Sequence, residues 1–121
     1  MTKEYHAILL DVEFKDPKFI EKWKLLGKKR SSQNRWWQLK VEVPESRLEE
    51  MINDGQSLLL DDKYYFHIYR EGELIIVWSK RIFYIKPDKS TWREMLEYGR
   101  SIGIPEDQLD MKPTKFKDET Y

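Results

Sequence analysis

Two spacings of hydrophobic residues take turns along this chain, one of period two and one near 3.6, and together they predict strands interleaved with helices. From Tyr5 to Phe14, His6, Ile8, Leu10, Val12 and Phe14 point one way and Tyr5, Ala7, Leu9, Asp11 and Glu13 the other, the alternation of a strand. Asp16-Pro17 supplies a side-chain acceptor for an N-cap and a ring whose fixed φ suits the first helical position. Phe19, Ile20, Trp23 and Leu26 then recur at helical spacing, so a helix is expected, with Lys28, Lys29 and Arg30 complementing the negative pole of its dipole. Ser31 to Asn34 reads as a polar connector. Arg35 to Val43 alternates again, with Trp37, Leu39, Val41 and Val43 opposite Trp36, Gln38, Lys40 and Glu42, until Pro44 ends the strand.

Ser46 and Glu49 have the spacing of a capping box, opening a short helix through Leu48, Met51 and Ile52 that Gly55 can close. Leu58-Leu59-Leu60 can finish that helix or begin a strand, and the helix is preferred. The stretch from Lys63 to Ile85 is the densest in aromatic and branched side chains, as a sheet core should be. Glu71-Gly72 suits a tight turn within it, whereas Ser79-Lys80 is either a hairpin turn or a bulge in one long strand. Thr91 and Glu94 repeat the capping-box spacing ahead of Trp92, Met95, Leu96 and Tyr98 on a third helix, and Gly103-Ile104-Pro105 is its stop. Glu106 to Asp110 reads as a single turn whose Leu109 docks on the body.

The expected fold is α+β: a two-layer sandwich in which three helices cover a mixed or antiparallel sheet of four to five strands. The order is β-α-β-α-β-β-(β)-α, resembling ferredoxin-like variants. Residues 1–110 form the expected single domain, and residues 111–121 a flexible tail. Tyr64-Tyr65-Phe66-His67, Leu74 to Trp78, Ser90-Thr91-Trp92 and Tyr98 to Pro105 with Gln108-Leu109-Asp110 resemble small prokaryotic proteins of unknown function, a likeness confined to the C-terminal half that implies no activity. If the helices cover Ile8, Leu10, Val12, Trp37, Leu39, Val41, Phe66 and Ile68, alternation sends Tyr5, Ala7, Leu9, Trp36, Tyr65, His67 and Tyr69 to the opposite face. That face is too apolar to stay wet, which leaves the third helix, a second copy of the chain or a small-molecule ligand to cover it.

Composition removes several chemistries. There is no cysteine, hence no thiolate nucleophile, disulfide or cysteine-ligated metal. With 22 basic and 22 acidic residues, no global field attracts nucleic acid or an anionic membrane, although Lys22 to Lys40 is wholly basic and Glu45 to Asp62 mainly acidic. No apolar run suits a secretory signal or a membrane span, so a cytoplasmic location is expected. His67, between Tyr65 and Tyr69, has the side chain that titrates near neutrality, but His6 is the only other histidine. A hydrogen-bonded, partly buried imidazole is therefore preferred to a catalytic or metal-ligating one. Trp36, Tyr65 and Tyr69 with Lys28, Lys29, Arg30 and Arg35 on phosphates would make a single-stranded nucleic-acid platform, against which stands the zero net charge. The expectation is a non-enzymatic binding or interaction module using the face of Trp36, Tyr65, His67 and Tyr69, with no cofactor or metal. Alternatives are single-stranded nucleic-acid binding and a small-molecule enzyme, a face-to-face dimer enclosing a pocket at His67.

Overall fold

The chain builds β1 (Glu4–Leu10), α1 (Lys18–Glu21), β2 (Lys24–Arg30), β3 (Trp37–Pro44), α2 (Leu48–Leu58), β4 (Tyr65–Arg70), β5 (Glu73–Trp78), β6 (Ile82–Ile85) and α3 (Arg93–Ser101). This is a computed structural model that describes residues 4–16, 18–30, 37–86 and 89–104. Among them the strands form one open antiparallel sheet of six, in the order β2-β3-β1-β4-β5-β6. The α+β class stands, but the expected four to five strands are six, and the ferredoxin-like comparison finds no support in this order.

The extra strand comes out of the expected first helix. After one turn, Lys22 and Trp23 donate to Phe19 and Ile20 three residues back, and the chain then extends as β2. Asp16 does provide the helix-opening acceptor, its Oδ1 taking the Lys18 N–H at 3.0 Å. The apolar spacing serves only to plant Phe19 and Trp23 in the core, their rings 6.0 Å apart. Beyond them, pairing with β3 outweighs the propensity of a short isolated helix, which is marginal in water.

Both sheet faces carry helices, so the predicted two layers are three. On one face Tyr5, Ala7, Leu9, Val41, Val43, Phe66, Ile68, Ile75 and Val77 pack with Phe19 of α1 and with Met51 and Ile52 of α2. On the other, Tyr69, Leu74, Ile76, Trp78, Phe83 and Ile85 pack with Met95 of α3 and with Ile104. The expected face of β1 is therefore inverted. Ala7 lies opposite Ile68, and Ile8 opposite His67, so Tyr5, Ala7 and Leu9 share the α2 face. Alternation fixes which residues go together, but not which set a helix will cover.

The turns follow their chemistry. Glu71 and Gly72 both have positive φ, 34° and 87°, as a type I′ hairpin requires. Ser79-Lys80 is a turn, not a bulge: Trp78 N donates to Arg81 O at 2.8 Å and β6 pairs with β5. Asp62 secures it, accepting from Ser79 Oγ at 2.7 Å and pairing with Lys80 Nζ at 2.9 Å. Gly55 does not close α2, which continues past it to Leu58. The expected caps move by a residue: α2 opens at Arg47 and α3 at Trp92, neither with a side-chain cap, while the Thr91 side chain of the second capping box lies outside what is described. The stop after α3 is as expected: Gly103 takes φ 84°, Gly103 and Ile104 N–H groups donate to Arg100 and Gly99 carbonyls, and Ile104 packs back. The expected turn at Glu106 to Asp110 and the expected tail lie outside the described residues, and among those described no helix is long and apolar enough to cross a membrane.

Candidate functional site

Register sets out the α3 face in rows. One runs Lys24, Glu42, His6, Tyr69, Leu74, Ile85, and the next Gly27, Lys40, Ile8, His67, Ile76, Phe83. Over β3 the rows carry the charged Glu42 and Lys40, whereas over β5 and β6 they carry Leu74, Ile76, Ile85 and Phe83. A single amphipathic helix can therefore cover the greasy half, and α3 lies there. Tyr69, Trp78 and Phe83 are buried, while Tyr65 and His67 are half-buried. Trp78 touches Tyr65 and Tyr98, each at 5.2 Å between ring centroids, and Phe83 at 5.6 Å. The aromatic face is thus largely filled from within.

His67 stacks on Tyr65 at 5.5 Å and 27°. The hydrogen bond expected of it is missing at Nε2, which is enclosed and meets no partner, as is Trp78 Nε1. The residue is half-buried but Nε2 is sealed, and burial lowers its pKa to about 4. At neutral pH the group is a neutral imidazole, and so weak a base is poorly matched to proton abstraction near pH 7. Among the described residues no three His, Asp or Glu side chains converge in a way that could hold a metal.

The nucleic-acid platform drawn from the sequence is not assembled as one surface. Lys28, Lys29 and Arg30 lie on β2 at the sheet edge, and Tyr65 and Tyr69 on β4, three strand spacings or roughly 14 Å away. Lys28 and Arg30 lie opposite Leu39 and Trp37 and so share the α2 face, whereas the tyrosines are on the other. Trp36 and Arg35 are outside the described residues.

What the edge does assemble is a cationic strand beside Trp37. All of β2 except Gly27 is exposed, and four of its seven residues are Lys or Arg, with no acid. Lys28 Nζ stands 4.8 Å and Arg30 Cζ 5.0 Å from the half-buried Trp37 ring. Leu25 and Leu26 are 52% and 38% exposed. The sequence carried a signal for this strand: two segments flanking the short polar connector Ser31 to Asn34, the spacing of a hairpin.

Glu13, read from the sequence as a strand position on the side of His67, lies instead beyond the end of β1. It is fully buried in the turn after β1, Oε1 accepting the Leu10 N–H at 3.0 Å and Oε2 meeting no partner, and burial raises its pKa well above the usual carboxylate range. Asp11, nearby, accepts the Trp37 N–H at 3.2 Å, joining that turn to the start of β3. A shallow cleft of about 290 Å³ between α1 and α2 is lined by Asp16, Lys18, Lys22 and Asp54 among others, with a Lys22–Asp54 ion pair at 3.2 Å across it. No protein-family model, curated protein or solved structure matches the chain.

Proposed function

We propose that the protein is a non-enzymatic binding module that takes a negatively charged partner along the β2 edge, beside Trp37, rather than on the aromatic face first expected to serve. The observation carrying this reading is β2 itself: an edge strand exposed at nearly every position, with Lys24, Lys28, Lys29 and Arg30 along it and two leucines turned to solvent. Lysines commonly guard sheet edges against unwanted pairing. Here the exposed leucines and the cation-flanked indole add apolar contact area that a guard alone does not need. A homodimer through this edge is disfavoured, because it would set like charges opposite each other.

The test is a fluorescence-anisotropy titration at low salt with a labelled oligoglutamate and a labelled thymidine oligomer. At least one should bind, with affinity falling as salt rises. Lys28→Glu/Arg30→Glu should lose about tenfold, the equivalent of about 1.4 kcal/mol. If neither polymer binds the wild-type protein, the reading fails.

A further inference from the structure

We infer that the partner is an acidic, extended polypeptide segment that joins the sheet as a seventh strand against β2. This rests on the polyanion-binding reading above and specifies the chemistry and geometry of the partner. In an antiparallel sheet every other residue of an edge strand turns its N–H and C=O outward, so β2 presents a ladder half that a strand can complete and a phosphate chain cannot.

Charge selects among strands. The cations stand on both faces of β2: Lys28 and Arg30 opposite Leu39 and Trp37, and Lys24 and Lys29 opposite Glu42 and Gln38. A basic strand, β2 of a second copy included, would set like charges across the new ladder, while a strand bearing carboxylates meets cations on whichever face its acids occupy. Leu25, opposite Val41 and half exposed, gives the incoming strand an apolar neighbour continuous with the row Val41, Ala7 and Ile68 of the core. The register shift between Leu25 and Gly27 twists the edge locally, so the partner is expected to pair most regularly along Lys28 to Arg30.

The experiment uses the full chain and an acetylated, amidated heptapeptide in which Glu and Val alternate. Its twin carries N-methyl groups on three successive central residues, which removes strand hydrogen bonding along both edges at unchanged charge. The parent peptide should bind at least tenfold more tightly than the twin, and amide exchange in Lys28 to Arg30 should slow on binding. Lys28→Glu/Arg30→Glu, an exposed pair whose replacement leaves the core untouched, should lose about tenfold for the parent. Equal binding of parent and twin, or unchanged exchange in β2, overturns strand addition while leaving polyanion binding intact. So does binding of a thymidine oligomer with none of the peptide. If neither peptide nor oligomer binds, the broader reading falls with it.

Discussion

Replacing Gly55 by alanine sets two calculable effects against each other. Gly55 is buried in the middle of α2, where glycine costs about 1 kcal/mol relative to alanine, so propensity alone predicts a gain. Packing predicts the reverse. A Cβ at this position would lie 2.5 Å from Phe66 Cζ, 2.9 Å from Phe66 Cε1 and 3.2 Å from Phe19 Cζ. Phe66 is fully enclosed, with the Phe14 ring at 5.7 Å and Phe14 itself 5.0 Å from Phe19, so the ring has no open side to retreat into. Forcing an extra carbon into a filled core costs about 1–3 kcal/mol, which exceeds the propensity gain. The net expectation for Gly55→Ala is a loss of up to about 2 kcal/mol, read as a fall in Tm by calorimetry or in the midpoint of a denaturant titration. Phe66→Leu removes the obstructing ring end, so in that background the alanine should become neutral or stabilising, with a coupling energy above about 1 kcal/mol in the double-mutant cycle. A higher Tm for Gly55→Ala alone, or an undiminished penalty beside Phe66→Leu, refutes the argument that this glycine is there for close approach.

Two titrating groups whose charged forms the fold disfavours give opposite pH signatures. His67, held at about 4 against 6.5 unfolded, contributes stability that is complete above pH 6.5 and lost as pH falls toward 4. Wild type should lose about 2 kcal/mol more than His67→Phe between pH 8 and pH 5 in urea titrations, and equal losses would sink the assignment. Glu13 is raised, so its cost is absent at acid pH and grows as pH rises past the unfolded value near 4.5. Glu13→Gln keeps the oxygen that accepts from Leu10 and should be more stable than wild type at pH 7 but not at pH 4, and a variant no more stable at pH 7 would show the carboxylate to be solvated after all.

Patterning revealed most of the sheet because β4 and β5 are apolar enough to leave few alternatives, and because Glu71-Gly72 and Gly103-Ile104 are turn chemistries with one comfortable conformation each. It failed at Lys24 to Arg30, where the helical spacing of Phe19, Ile20, Trp23 and Leu26 was given more weight than the hairpin spacing about Ser31 to Asn34, although pairing with β3 is the deciding interaction. The face of β1 was a coin-toss for a related reason: both its residue sets are apolar, so only the register with β4 distinguishes them. Of the candidate site, Lys28, Lys29 and Arg30 were found for the wrong element. His67 was placed on the right strand, with Tyr65 stacked on it but without the expected partner at Nε2. Glu13 was taken for a polar position on a strand, because a buried acid is indistinguishable by pattern from an exposed one.

Every residue of β5 from Leu74 to Trp78 is buried, since α2 and its neighbours close one face and α3 the other. Such a strand has no side on which a polar replacement is harmless, so a polar substitution anywhere from Leu74 to Trp78 is expected to destabilise the chain. β2 is the opposite case, free to exchange nearly every side chain without disturbing the interior. Selection on what the molecule meets can therefore act at one rim of the sheet while the centre stays unchanged.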